Sequence, residues 1–241
     1  LVQCMRKVQF VDHYFYHIYN RGVDKRKTFL DPADFRRFYA GLFLFNNALY
    51  QSSTGRHTTR LSLVQETVQG LALDAPREPF VNVVCYCIMP NHYHLLLEQL
   101  QTGGVTNFMH RIDTAYTMYF NKRYERTGRL FEGPFKAVRI KHEGQFEHIP
   151  RYIHLNALDL TDMNWREGKI DNWYRAERFL EAYPWSSHQV YLSKPQQYPV
   201  VVPSVVGDLF KTPQHYLSFL KQWSVRELIT TQGLSPFTVQ G

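Results

Sequence analysis

The sequence predicts an α+β fold, in which helices flank a mostly antiparallel sheet and a C-terminal extension follows. Segments with strand and helix patterns alternate in the order strand, helix, hairpin, helix, strand, helix, which is typical of α+β domains. The chain has 241 residues, of which 44% are hydrophobic. It is therefore long and apolar enough to bury one sizeable core.

The elements are predicted from local signals along the first 160 residues. Asp31-Pro32 is typical of a helix N-cap followed by proline at the first helical position. Pro90-Asn91 is a turn signal between two apolar runs and predicts a β-hairpin near the middle of the sheet. The predicted elements are strand 14–20, helix 32–47, hairpin strands 80–89 and 92–98, helix 106–124, strand 135–140 and helix 145–158.

Composition divides the chain into a domain and an extension. Residues 12–160 contain all these elements, interrupted at about 50–79 by a segment rich in Ser, Thr, Gln and Gly that we interpret as an insertion. After Leu160 the composition shifts to Trp, Asn, Pro and Ser. We expect 161–241 to form a C-terminal extension that packs on the domain, with a last helix near 214–223.

Charge, cysteine content and hydropathy exclude several classes of protein. The 28 Lys and Arg residues outnumber the 21 Asp and Glu residues, for a net charge of +7 and a pI near 9.3. The 3 cysteines are too few for a disulfide framework and fit a reducing compartment. No apolar run approaches the ~20 residues that a membrane span needs. We therefore expect a cytoplasmic protein with no membrane partner.

Basic residues are concentrated between Thr106 and Lys141. This segment contains 8 Lys or Arg residues but only 3 Asp or Glu residues, and aromatic residues are interleaved among them. This pattern favours a nucleic acid whose bases can stack. The alternative is a solvated helix face above core aromatics. The candidate phosphate-binding residues, with Arg21 at the end of the first strand added, are Arg21, Arg111, Lys122, Arg123, Arg126, Arg129, Lys136, Arg139 and Lys141.

His92 and His94 stand two residues apart on a predicted strand, so their imidazoles project to the same face. Such a pair can bind one divalent metal ion, although two hydrogen-bonded histidines would show the same pattern. Cys85 and Cys87 have the same spacing on the preceding strand. A four-ligand structural zinc site is therefore a further alternative, and so is burial of both cysteines as small hydrophobic residues.

Tyr152 and Asn156 are four residues apart on a predicted helix and share one face, with His148 one turn earlier. They are candidates for a nucleophile and a metal ligand. The alternative is a buried tyrosine that hydrogen-bonds a helix-capping asparagine. Tyr116 and Tyr119 are rival nucleophiles, but neither has an amide four residues later. No serine has a paired base in the sequence, so we do not expect a serine hydrolase.

Several segments together resemble the REP-associated tyrosine transposases, a branch of the single-tyrosine HUH transposase family. The resemblance runs in order from about Tyr14 to Tyr191. Two departures, Ala157 in place of the usual Pro and the long 50–79 segment, touch no chemical group. The matching segments are Tyr16-His17-Ile18-Tyr19-Asn20-Arg21-Gly22, Met89-Pro90-Asn91-His92-Tyr93-His94-Leu95-Leu96, Arg126 to Lys136, Tyr152 to Asn156, and Tyr183-Pro184-Trp185-Ser186-Ser187.

The resemblance implies the ferredoxin-like palm of HUH enzymes and a definite chemistry. His92, His94 and Asn156 would hold Mg²⁺ or Mn²⁺, and imidazole ligands favour the softer Mn²⁺. Tyr152 would cut single-stranded DNA beside a REP-like hairpin through a 5′-phosphotyrosine intermediate. His17 would be a partner of the histidine pair, unless it is a core residue, and His148 a second such partner.

The same resemblance leads us to expect a monomer. Two other functions stay open at this point. One is a DNA-hairpin-binding protein of the same fold that does not cut. The other is a metal-dependent phosphohydrolase, which would use water as the nucleophile and form no covalent adduct.

Overall fold

The computed structural model describes residues 8–49, 76–206 and 209–222. Cys4, most of the predicted insertion and the chain after residue 222 lie outside the described residues. None of the described helices is both long and apolar enough to cross a membrane. The elements are β1 (Phe15–Arg21), α1 (Pro32–Leu44), β2 (Val81–Met89), β3 (His92–Gln99), α2 (Gly104–Arg123), β4 (Lys136–Arg139), α3 (Glu143–Leu155), α4 (Trp173–Ala182), α5 (His188–Tyr191) and α6 (Pro213–Lys221), with short 3-10 helices between them.

The four strands form one antiparallel sheet in the order β2-β3-β1-β4. This spatial order, with the chain order β1-α1-β2-β3-α2-β4, is the split βαβ arrangement of ferredoxin-like folds. The predicted fold class is therefore confirmed. In β1 and β3, Arg21 is opposite His92 and Tyr19 is opposite His94. The register thus brings the end of β1 to the beginning of β3.

The two faces of the sheet have different partners. Helices α1 and α2 cover one face, where the ring of Tyr93 packs against Phe38 and its hydroxyl donates to Asp113. Because side chains alternate along a strand, His92 and His94 point to the opposite face. Helix α3 packs on that face, with the ring of Tyr152 against His94.

Helix α1 begins where the sequence predicts it. The side chain of Asp31 accepts hydrogen bonds from the backbone N–H groups of Ala33 and Asp34, and Pro32 occupies the first helical position. These bonds satisfy donors that have no partner inside the helix. Arg123, at the end of α2, forms ion pairs with Asp31 and Asp34, and these ion pairs join α1 to α2.

The C-terminal segment lies along the outer side of β2. The backbone N–H of Ile88 donates to Trp185, and Val202 donates to Val83. The hydroxyl of Tyr183 donates to the carbonyl of Ile88. These contacts satisfy backbone groups that an edge strand would otherwise expose.

The structure corrects three details of the sequence analysis. The hairpin is not near the middle of the sheet, because β2 forms an edge that is covered by the C-terminal segment rather than by a further strand. Helix α3 ends at Leu155, and a 3-10 helix (Asn156–Leu160) continues it. Helix α4 has no counterpart in the prediction, and only its Ala176 and Leu180 are buried.

Candidate active site

Three histidines meet on the face of the sheet that α3 covers. His17 on β1 and His94 on β3 are both buried, and Nε2 of His17 lies 2.9 Å from Nδ1 of His94. His92 begins β3 directly after the turn, and its Nδ1 lies 2.6 Å from the side-chain oxygen of Asn91. The His92 and His94 rings are edge to face with centroids 5.0 Å apart.

The environment favours neutral imidazoles. Burial, and to a smaller extent the charge of Arg21, lower the pKa of His92 to about 4. Burial and then the neighbouring His17 hold the pKa of His94 well below its usual range. Burial lowers the pKa of His17 to about 4. At neutral pH these rings therefore carry lone pairs rather than protons on their acceptor nitrogens.

The Nε2 atoms of His92 and His94 are the ring nitrogens that could bind a divalent metal ion. In both rings Nδ1 has a neighbour, and among the described residues no hydrogen bond reaches either Nε2. A metal-bound histidine commonly has this pattern, in which the second nitrogen is fixed by an outer partner. The described residues contain no group of three or more His, Cys, Asp or Glu side chains placed for a metal. A third protein ligand would therefore be of another type, such as an amide.

Tyr152 lies over the histidines. Its ring centroid is 5.5 Å from that of His94 and 5.8 Å from that of His17, both edge to face. The ring of Trp165 packs against another side at 5.8 Å. Tyr152 is half-buried. The structure thus brings the predicted nucleophile and the predicted metal-binding histidines together, although 58 positions separate His94 from Tyr152 in the chain.

Asn156 is fully buried and caps α3. Its Nδ2 donates to the carbonyl oxygen of Tyr152 at 2.6 Å, and its Oδ1 accepts a hydrogen bond from Nη2 of Arg166 at 2.9 Å. An amide oxygen has two lone pairs. One lone pair of Oδ1 therefore remains for a metal ion, so the set of His92, His94 and Asn156 fits such an ion in donor type.

Arg166 is a residue of this site that the sequence analysis missed. Besides Asn156, it hydrogen-bonds the hydroxyl of Tyr152 through Nη1 at 3.4 Å and forms an ion pair with Asp159. Burial opposes the charge on Arg166, but the hydrogen bonds to Asp159 and Tyr152 raise its pKa. The sequence does not reveal this contact, because no helix or strand periodicity relates Arg166 to Tyr152. The two side chains meet only because the 3-10 helix Asn156–Leu160 and the loop after it return the chain to α3.

The rival tyrosines lie on the other face of the sheet. The hydroxyl of Tyr116 donates to the carbonyl of Thr28, and that of Tyr119 donates to Asp34. Both side chains are buried. No described contact joins either of them to the histidine pair, and the role of His148 on α3 stays a prediction.

Several basic residues lie at the end of the sheet where β1 ends and β3 and β4 begin, which we call the histidine end because His92 begins β3 there. Arg21 is opposite His92, and Lys136 is opposite Tyr19. The loop before β4 is held there, because the N–H of Val23 donates to Leu130 and that of Glu132 donates to Arg21. Six candidate phosphate-binding residues lie at this end, on the loop, on β1, at the start of β4 or in the last turn of α2. They are Arg21, Lys122, Arg123, Arg126, Arg129 and Lys136.

The other three candidate phosphate-binding residues lie elsewhere. Arg111, in the second turn of α2, donates to the carbonyl of Asn47 at 3.0 Å. Arg139 is the last residue of β4 and Lys141 follows it, near the beginning of β1, where the N–H of Ile140 donates to the carbonyl of Phe15. Arg123, although it lies at the histidine end, is held by its two aspartates.

The structure decides between the two alternatives for Cys85 and Cys87, a structural zinc site or burial as small hydrophobic residues. Cys87 is opposite His94 and Cys85 is opposite Leu96, and both are fully buried, so they pack as small hydrophobic residues outside any described metal cluster.

The expectation that no serine has a paired base is wrong, because Oγ of Ser187 lies 2.8 Å from Nε2 of His154. This pair is fully buried and also bonds the backbone of Tyr86. It is closed to a substrate.

Comparison with known proteins gives the following matches. Residues 44–156 match the family model described as "Transposase IS200 like". A solved structure of a REP-associated tyrosine transposase bound to a REP hairpin is similar in shape, with a TM-score of 0.48 and 11% sequence identity over 83% of this chain and 91% of that chain. No curated protein sequence matches. The residues that match this family model include His92, His94, Tyr152 and Asn156.

Proposed function

We propose that this protein is a transposase of the IS200-like type, a metal-dependent single-strand DNA endonuclease and strand transferase that acts beside REP-like hairpins through a covalent bond to Tyr152. The observation that carries the proposal is the position of the Tyr152 ring against His94 and His17. Tyr152 is thus a phenol packed against His94, one of the two imidazoles that could bind a metal ion, and such a phenol is suited to nucleophilic attack on a phosphodiester. The sequence resemblance to REP-associated transposases supports the hairpin as substrate.

The reaction is a transesterification. The phenol of Tyr152 loses its proton, its oxygen forms a bond to the scissile phosphorus, and the P–O3′ bond breaks. The departing 3′ oxygen takes up a proton, and the 5′ side of the DNA stays on Tyr152 as a phosphotyrosine. Because no water enters, the ester is preserved, and a 3′-OH can later attack it to rejoin a strand.

His92, His94 and Asn156 would hold Mg²⁺ or Mn²⁺, which supplies Lewis-acid charge at the phosphate oxygens when bound. The protein's own contribution is to orient the groups. His17 fixes His94 through Nδ1, and Asn91 fixes His92 in the same way. Trp165 and His94 hold the Tyr152 ring between them. The phenol oxygen therefore has a restricted set of positions before DNA binds.

The direct experiment is incubation with labelled single-stranded hairpin DNA and Mn²⁺, followed by a denaturing gel. The proposal predicts a protein band that carries the label. Cleaved DNA without such a band would support the phosphohydrolase. Binding without cleavage, over a range of hairpins and with either metal ion, would support the non-cleaving protein.

We expect hairpin binding to weaken steeply with salt, since the basic residues at the histidine end lie where a phosphate backbone would approach the active site. If about four phosphates are contacted, log K should fall against log salt with a slope of about −3, at ~0.7 per contact on single strands. Arg129→Gln should reduce the magnitude of this slope by about 0.7. Lys141→Gln, at the other end of the sheet, is the matched control, and fluorescence anisotropy gives both slopes. A slope near zero would mean that these side chains form only a solvated surface.

A further inference from the structure

The positively charged side chain of Arg166 contacts the candidate nucleophile Tyr152. Arg166 lies outside the residues that match the family model. Arg166 lies in the 3-10 helix Trp165–Glu167. Its guanidinium contacts the Tyr152 hydroxyl, the oxygen of Asn156 and the carboxylate of Asp159. The side chain is nevertheless 46% exposed. It therefore contacts the oxygen of the candidate nucleophile and is at the same time accessible from solvent.

The hydrogen bonds of Arg166 leave one donor beside the phenol oxygen. A guanidinium has five N–H groups. Nε and one Nη2 hydrogen go to Asp159, the other Nη2 hydrogen goes to Asn156, and one Nη1 hydrogen goes to Tyr152. Among the described residues, no bond uses the second Nη1 hydrogen. That donor is attached to the same nitrogen that contacts the hydroxyl, so an oxygen of a phosphate bound at Tyr152 lies within its reach.

Asp159 and Trp165 hold the guanidinium in this orientation. The indole N–H of Trp165 donates to Oδ1 of Asp159 at 2.6 Å, and the same oxygen accepts from Nε of Arg166 at 3.1 Å. The guanidinium carbon lies 4.6 Å from the centroid of the Trp165 ring. A planar, bidentate arginine held on an aromatic ring is a far more directional donor than a freely moving surface side chain.

We propose that Arg166 is a catalytic residue of the cleavage step. Its guanidinium stabilises the negative charge on the Tyr152 oxygen as the proton leaves, and then the charge that develops on a non-bridging oxygen of the scissile phosphate. Asp159 is a positioning residue, which acts by orienting the guanidinium. The inference rests on the proposed function, because it assigns a role within the same reaction.

The alternative is an exposed ion pair with Asp159, and exposed ion pairs contribute little to stability. The two roles predict different results for Arg166→Ala. A catalytic role predicts a fall of about 100-fold or more in the single-turnover rate of adduct formation, which is typical for loss of one donor to a developing oxyanion. Hairpin affinity and the unfolding temperature should change little, because other residues supply most phosphate contacts.

The test measures adduct formation with saturating hairpin DNA and Mn²⁺ in wild type, Arg166→Ala and Arg166→Lys. Lysine keeps the charge without the planar donors, so its rate should lie between the other two. Guanidinium ion at low millimolar concentration should partly restore Arg166→Ala and leave Tyr152→Phe inactive. Arg175→Ala is the matched control, because Arg175 is an exposed arginine of the same extension that pairs with Asp162 away from the histidines.

The outcomes separate this inference from the proposed function. If Arg166→Ala forms the adduct within about threefold of the wild-type rate, the inference is wrong and the function stands. A slow Arg166→Ala that guanidinium ion does not restore, and whose unfolding temperature has fallen, would also overturn it in favour of a structural role. If wild type itself forms no adduct, the proposed function fails and the inference fails with it.

Discussion

Phenylalanine in place of Tyr152 should abolish the covalent protein–DNA adduct and the free 3′-OH end, while hairpin binding persists. The substitution keeps the ring that packs against His94, His17 and Trp165 and removes only the oxygen. The single described hydrogen bond to that oxygen, from Arg166, is long at 3.4 Å. Folding should therefore change little. A denaturing gel with end-labelled DNA measures the adduct, and anisotropy measures binding.

The controls for this experiment are tyrosines that differ in position. Tyr116→Phe changes a buried hydroxyl on the opposite face of the sheet, and Tyr174→Phe changes an exposed one that is 73% accessible on α4. Both variants should form the adduct at the wild-type rate. An adduct that survives in Tyr152→Phe but disappears in Tyr116→Phe would mean that the nucleophile is on α2.

The second large effect concerns the histidine pair. We expect His92→Ala or His94→Ala to lower Mn²⁺-dependent cleavage at least about 100-fold, since loss of even an outer partner of a metal ligand typically costs 10–100-fold. Mn²⁺ binding, followed by the electron paramagnetic resonance of the free ion, should weaken in both variants. Hairpin binding should be retained, because phosphate contacts come from elsewhere.

The two histidine variants differ in their structural risk. His94 is buried and bonds His17, so its truncation leaves a cavity and an unpaired ring nitrogen. His92 is partly exposed at the start of its strand and is the safer variant. His110→Ala, an exposed position on α2, is the control and should change neither metal binding nor cleavage. Cleavage by His92→Ala at the wild-type rate, with unchanged Mn²⁺ binding, would remove His92 from the ligand set.

The sheet could be predicted from sequence because its signals are local. Asp31-Pro32 caps α1, and Pro90-Asn91 turns the hairpin, as neighbouring residues alone require. The alternation of side chains then places His92 and His94 on one face without further information. The position of β2 at the edge could not be predicted in this way. Its run of buried residues reads as an inner strand because the C-terminal segment covers it from about 100 residues further along the chain.

The candidate site could be predicted only in part, because some of its contacts join segments that meet only in the folded chain. Tyr152 and Asn156 share a helix face by spacing, and the structure adds that Asn156 caps the helix and bonds the carbonyl of Tyr152. Arg166 enters through a tertiary contact that no periodicity encodes. The pairing of His154 with Ser187 is likewise tertiary, because α3 and the segment after α4 meet only in the folded chain.

The attachment site of the DNA tests the central claim most directly. Wild-type protein is allowed to react with a single-stranded hairpin and Mn²⁺, the covalent adduct is isolated and digested with protease and nuclease, and tandem mass spectrometry locates the residual nucleotide. We expect a 5′-phosphate linked to the oxygen of Tyr152, in the peptide that also contains Asn156 or its flanking residues. A nucleotide on any other tyrosine, or cleaved DNA with no modified peptide at all, would contradict it.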